Sequence, residues 1–215
     1  EESERSRSYL LENVMRAVED LYFTMAERVS MDMQLSASSD PDLFFLANRS
    51  VEEYPEYVLR VRNLLSGEVA RRAPHVFSIA VYFKTNELLI SSLSGVKYLE
   101  SRAKSIPYDH TWISGFAARS LELSSVWLPP RELPSSIASA EGDRVLTHVC
   151  TMPFASSSTD YQGLLAVSLR EEQIRNELRK ALDGRPGTVI VADSVGNVIS
   201  DSSGMFMGTS VGDEP

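Results

Sequence analysis

Two kinds of side chain in this 215-residue sequence could do chemistry. The first kind comprises nucleophiles, bases and metal ligands: one cysteine, Cys150, and three histidines, His75, His110 and His148. No two histidines stand at the helical spacing of a zinc enzyme, and a single cysteine excludes both an internal disulfide and any multi-cysteine metal site. His148 and Cys150 lie two apart in a strand-like run, so they share one side of it and could pair a thiol with a base. With no third group to orient them, and because free cysteine is among the most buried residue types, Cys150 reads as core. The sequence contains no Gly-rich phosphate loop, nucleophile elbow or kinase motif. The expectation is a non-enzyme with no cofactor and no metal.

The second kind is a group of aromatics with polar tips: Tyr82, Tyr98, Tyr108, Trp112 and Trp127. Singly, each fits a core or rim position. Together with Lys84, Asp109 and His110 they could line a small-molecule pocket, in which an apolar wall carries a few convergent polar groups. The candidate ligand-binding residues are Tyr82, Lys84, Tyr108, Asp109, His110 and Trp112. The polar stretch Lys84 to Glu87 reads in two ways, as an exposed turn or as the edge of that pocket; Thr85 to Glu87 is taken as turn.

The elements that must position these groups follow from periodicity. Val76 to Ser92, VFSIAVYFKTNELLISS, is a hairpin rich in β-branched and aromatic residues, interrupted at Lys84–Glu87. No glycine precedes Gly67, and Leu10, Val14, Val18, Leu21, Met25 and Val29 recur at steps of four and three, with Leu11, Met15 and Tyr22 widening the stripe. This predicts one amphipathic helix from about Glu4 to Met33, on the order of 45 Å long. Asp40-Pro41 is an N-cap followed by proline at the first helical position. A further helix runs from about Tyr54 to Ala73, its start set either by a Ser50–Glu53 capping box or by Glu53 itself. Tyr108 to Arg119 carries Trp112 and Phe116 on one face. Val126 to Leu128 is a short strand stopped by Pro129-Pro130. Arg144 to Phe154 and Gln162 to Leu169 form a second hairpin, and Thr188 to Ala192 with Asn197 to Ser200 a third. Between the last two hairpins lies a charged helix, Arg170 to Leu182.

A formal charge of -9 argues against direct nucleic-acid binding, which depends on clustered Lys and Arg. No apolar run is long enough to cross a bilayer. The polar ends and the short final hairpin suggest a fragment of something larger.

Taken in order, the long N-terminal helix, IAVYFKTNELLISS, YDHTWISGF, VWLPP, RVLTHVCTMPF, QGLLAVSLREEQIRNEL and GTVIVADSVGNVIS resemble a double Cache sensor domain. The similarity is greatest to the extracellular sensors of Gram-positive transmembrane AraC-type regulators and sensor histidine kinases. The resemblance implies an α+β fold: a PAS-like antiparallel sheet flanked by the long helix, and the beginning of a second, smaller PAS-like lobe. Its implied divisions are a stalk helix at 1–35, a membrane-distal Cache lobe at 36–169, a connecting helix at 170–186 and the start of a membrane-proximal lobe at 187–215. It further implies ligand sensing on the extracellular side of the cell membrane for signal transduction, flanking transmembrane helices, and relay through the long helix; homodimerisation through that helix stays open. Amino-acid-binding members of the family carry an Arg two positions before the Trp that matches Trp112 and an Asp in the last strand of the distal lobe. Here those places hold His110 and Ser168, and Ile113 stands where those members carry an aromatic after the Trp, so an α-amino acid ligand is expected to be disfavoured. The alternative is a protein-interaction or structural ectodomain with no small-molecule ligand.

Overall fold

The structure is a computed structural model, and it describes residues 2–49, 55–99, 108, 110–119, 124–138, 142–152, 161–182, 184–193 and 196–212. In order, the elements are α1 (Glu2–Val18), a π turn (Glu19–Thr24), α2 (Met25–Ser39), α3 (Pro41–Asn48), α4 (Glu56–Arg72), β1 (Ser78–Phe83), β2 (Leu88–Ser91), β3 (Gly95–Tyr98), α5 (His110–Arg119), β4 (Ser125–Glu132), β5 (Arg144–Met152), β6 (Gly163–Arg170), α6 (Glu171–Leu182), β7 (Ile190–Ala192) and β8 (Val198–Asp201). β1 to β6 form one six-stranded sheet in the order β3-β2-β1-β6-β5-β4, and β7 with β8 a second, two-stranded one. This is the expected α+β, PAS-like arrangement of a long N-terminal helix and an antiparallel sheet. The chain divides into two compact units. One comprises Glu1–Met25, Pro129–Leu146 and Arg170–Pro215; the other comprises Ala26–Leu128 and Thr147–Leu169.

The long helix departs from the predicted stripe at a definite place. Val18, Tyr22, Ala26, Val29 and Met33 are buried, whereas Leu21 is 45% exposed, and Leu11 and Met15 also face out. Steps of four drift around an α-helix but hold their side where the turn is wider, and the π turn at Glu19–Thr24 provides that width. One residue is absorbed there, which moves the buried face from Leu21 to Tyr22.

In the unit that begins at Ala26, the hairpin signal is confirmed, with Tyr82 opposite Leu89 and Phe83 opposite Leu88. Tyr82 also lies opposite Leu164 of β6, so β1 sits inside the sheet. Lys84 to Glu87 is a turn, closed by the Glu87 N–H donating to the Lys84 carbonyl at 3.3 Å. Asp40 caps α3 as expected, its carboxylate accepting from the Asp42 and Leu43 N–H groups at 2.9 and 3.1 Å. Residues 50–54, where the two readings for the start of α4 fall, lie outside the described residues; α4 itself begins at Glu56 with Pro55 before it. β4 was expected to stop at Pro129-Pro130, yet it runs on to Glu132. It can do so because β4 is an edge strand, the place in a sheet where proline is tolerated.

In the other unit, α6 and β8 are joined by buried polar groups that satisfy one another. Glu171 is fully buried, accepting from the Ser200 hydroxyl at 2.6 Å and pairing with Arg175. Burial would raise the Asp201 carboxyl, but the Ser203 hydroxyl and the backbone N–H groups of Phe206, Gly204 and Ser203 outweigh it and hold the pKa below its ordinary value. A cavity of about 560 Å³ in this unit is walled by Leu10, Leu11, Met15, Ala181, Leu182 and the 185–190 segment.

Candidate functional site

Strand alternation decides what each face of the sheet offers. Ala80, Leu89, Val149, Leu164 and Ala166 form one face, and Trp112, Ile113 and Phe116 of α5 pack onto it together with Leu128. Trp112 and Phe116 stand four apart in the helix and are 1% and 0% exposed, as their spacing predicted. Tyr82 and Tyr161 close the edge of this cluster.

The cluster has a polar periphery. The Lys84 ammonium lies 4.9 Å from the centroid of the Tyr161 ring, a cation–π contact, and Tyr161 meets Phe116 edge-on at 6.1 Å. Burial raises the Tyr82 phenol above its ordinary pKa, with Glu87 and then Tyr161 adding to the effect; burial also raises Tyr161. Both phenols therefore stay protonated and can donate. Beyond the apolar floor, Ser78 is opposite Ser168, and the Ser168 hydroxyl is 3.1 Å from that of Thr147, which is buried. The residues bordering α5 thus present hydroxyl groups without a buried carboxylate among those named.

One atom is out of balance. Trp112 Nε1 is buried and has no hydrogen-bond partner among the described residues. A buried donor without an acceptor costs free energy that a packed protein avoids, and the cost is recovered when a ligand brings the acceptor.

Of the predicted site residues, the structure brings Tyr82, Lys84 and Trp112 around one cluster. Tyr108 precedes α5, and its carbonyl accepts from the Thr111 hydroxyl at 2.8 Å. His110 opens α5, and Asp109 lies outside the described residues. Tyr98 is exposed on β3. Trp127 faces the other side, where its indole donates to Glu27 at 2.9 Å. Sequence reasoning missed Tyr161, an aromatic following a Ser-rich link, and the hydroxyls of Ser78 and Thr147. The alternating strand pattern was the signal that could have placed the last two.

His148 and Cys150 also face away from α5. Burial pushes the His148 pKa down to about 4, against a smaller opposing effect of Glu27, and pushes the Cys150 thiol up to about 12 despite a hydrogen bond from Ser30. A neutral imidazole beside a thiol that does not ionise is no nucleophile pair.

No protein-family model matches the chain, and no curated protein sequence is significantly similar to it. Solved structures are similar in fold. The ligand-binding domain of the Campylobacter jejuni chemoreceptor Tlp3, in complex with L-norvaline, superposes with a TM-score of 0.52 at 11% identity, covering 92% of this chain and 68% of that one. The sensor domain of the V. cholerae histidine kinase DctB gives 0.50 at 11% identity, covering 98% and 73%. The ligand-binding domain of the Pseudomonas fluorescens chemoreceptor CtaA, in complex with L-isoleucine, gives 0.45 at 14%, covering 98% and 79%. The chain shares the fold of the Tlp3 and DctB sensory domains.

The expectation that an α-amino acid is disfavoured is overturned: the Tlp3 domain, built on this fold, is a complex with L-norvaline. The inference rested on His110, Ile113 and Ser168. Around α5 the fold supplies other donors and acceptors, the Trp112 indole and the Ser168–Thr147 hydroxyl pair, so the loss of one Arg and one Asp does not decide the ligand class.

Proposed function

We propose that this chain is the ligand-sensing domain of a membrane-anchored signalling receptor, facing the extracytoplasmic side, with its ligand received between α5 and the sheet. The observation that carries this reading is the Trp112 indole, whose buried N–H has no partner among the described residues on the face that α5 covers. Tyr82, Lys84 and Tyr161 border the same cluster, and Thr147 and Ser168 supply hydroxyls on the same face. The ligand is a small polar molecule that presents a hydrogen-bond acceptor to Trp112, α-amino acids included. In this reading residues 36–169 are the ligand-binding lobe, 1–35 the stalk, 170–186 the connection and 187–215 the start of a second lobe.

A second reading also has an observation in its favour. Trp112 and Phe116 are fully buried, so the face is filled by the helix's own side chains, as in a structural or protein-interaction domain that takes no small ligand. Thermal unfolding against L-norvaline and a series of other small amino and carboxylic acids separates the two. A binding compound at about 100 times its Kd stabilises by about 2.7 kcal/mol, and Trp112→Phe should abolish most of that gain. Undiminished stabilisation of the Trp112→Phe protein would remove Trp112 from the site, and no stabilisation by any compound would favour the second reading.

A further inference from the structure

β5 turns different side chains to each side of the sheet. Thr147 and Val149 point toward α5, where Val149 belongs to the cluster with Trp112, while His148 and Cys150 point toward α2. On the α2 side, three polar residues of the helix reach the strands. Glu27 accepts from the Trp127 indole of β4 at 2.9 Å. The Ser30 hydroxyl donates to the Ala26 carbonyl at 3.0 Å and lies 2.8 Å from His148 Nδ1. Gln34 Nε2 donates to the Thr151 carbonyl at 2.7 Å. Residues 27, 30 and 34 are spaced by three and four, which puts them in one row along α2.

The row behaves as a seam with two conditions. Each step along a helix turns the side chains by about 100°, so α2 cannot shift by a residue and keep any of the three bonds. Ser30 and Gln34 are buried, as are His148 and Thr151, and no water stands ready to replace a lost partner. The two buried bonds of the seam, Ser30–His148 and Gln34–Thr151, are made or broken with the register of α2, the kind of discrete element through which two sites are coupled.

We propose that β5 is a lever between the face under α5 and the long helix: displacement of Val149 and Thr147 on one side is transmitted through His148 and Thr151 to Ser30 and Gln34 on the other. The proposal rests on the sensor reading only for what would move β5 in the receptor. The coupling itself is measured without a ligand, so its failure and the failure of that reading are distinguishable.

The chain has two tryptophans, Trp112 under α5 and Trp127 in the seam, and their indole N–H resonances report the two sides separately. Val149→Ala should shift the Trp127 resonance and raise amide exchange in residues 27–34, relative to α4, by about tenfold. Leu89→Ala empties the same face from β2, which carries no residue of the seam, and should leave α2 and α4 exchanging in proportion. By the reciprocity of coupling, Ser30→Ala should shift the Trp112 resonance. The lever is overturned if Val149→Ala and Leu89→Ala affect α2 alike. If Val149→Ala does not fold, the Ser30→Ala protein decides: an unmoved Trp112 resonance overturns the proposal.

Discussion

The two faces of the sheet treat buried polar atoms differently. Toward α2, histidine meets serine, glutamine meets a carbonyl and the Trp127 indole meets the Glu27 carboxylate, and the contacts span 2.7 to 2.9 Å between helix and strand. Toward α5, packing is as tight, with Phe116 fully buried, yet one indole N–H is left without a partner among the described residues. A face whose polar groups are all paired is finished as structure. A face with a spare donor can take one more partner, which is why the proposed ligand site is placed there.

The largest expected effect tests whether the α5 face is a true core in the unliganded chain. Phe116→Ala should cost about 3–5 kcal/mol in urea unfolding, as for other fully buried phenylalanines. A loss below about 1 kcal/mol would mean that α5 is only loosely seated. Next comes the pH dependence of the opposite face. His148 is held neutral in the folded chain, with a pKa of about 4 against 6.5 for an exposed histidine, so the unfolded chain binds the extra proton between those values. Stability from this group is complete above pH 6.5 and declines as pH falls toward 4, by about 3 kcal/mol in all, and His148→Gln should flatten that part of the curve. The smallest effect is Gln34→Leu, which keeps the side-chain volume but leaves the buried Thr151 carbonyl short of a donor, for about 1–3 kcal/mol. If Gln34→Leu were neutral, the contrast between the faces would weaken.

Much of this fold was legible because hydrophobic period is a local property. The central hairpin, the Asp40 cap and the Trp112–Phe116 face were all readable from spacing over a few residues. What was not readable depended on partners far away in sequence. The π turn at Glu19–Thr24 moves the buried face by one residue and has no single-residue signature. β4 continues through two prolines at the edge of the sheet, a position the local sequence does not reveal. Trp112 and Trp127 looked alike in the sequence, and the sheet sends them to opposite faces, one with a partner and one without a partner among the described residues. Tyr161 follows a Ser-rich link, and only the fold brings Lys84 to its ring.

The tip of the central hairpin carries a consequence for the order in which this chain folds. The Thr85 hydroxyl donates to the Ala47 carbonyl at 3.1 Å, and the Asn86 amide donates to the carbonyls of Leu46 and Arg49, both at 2.8 Å. The turn thereby caps the end of α3, a helix of only 8 residues that is too short to persist by itself in water. Its last carbonyls find these partners across 37 to 40 residues of intervening chain. The helix is therefore a late structure, waiting on strands made after it during synthesis, and an Asn86→Ala chain should refold with α3 as the last segment to gain protection from exchange.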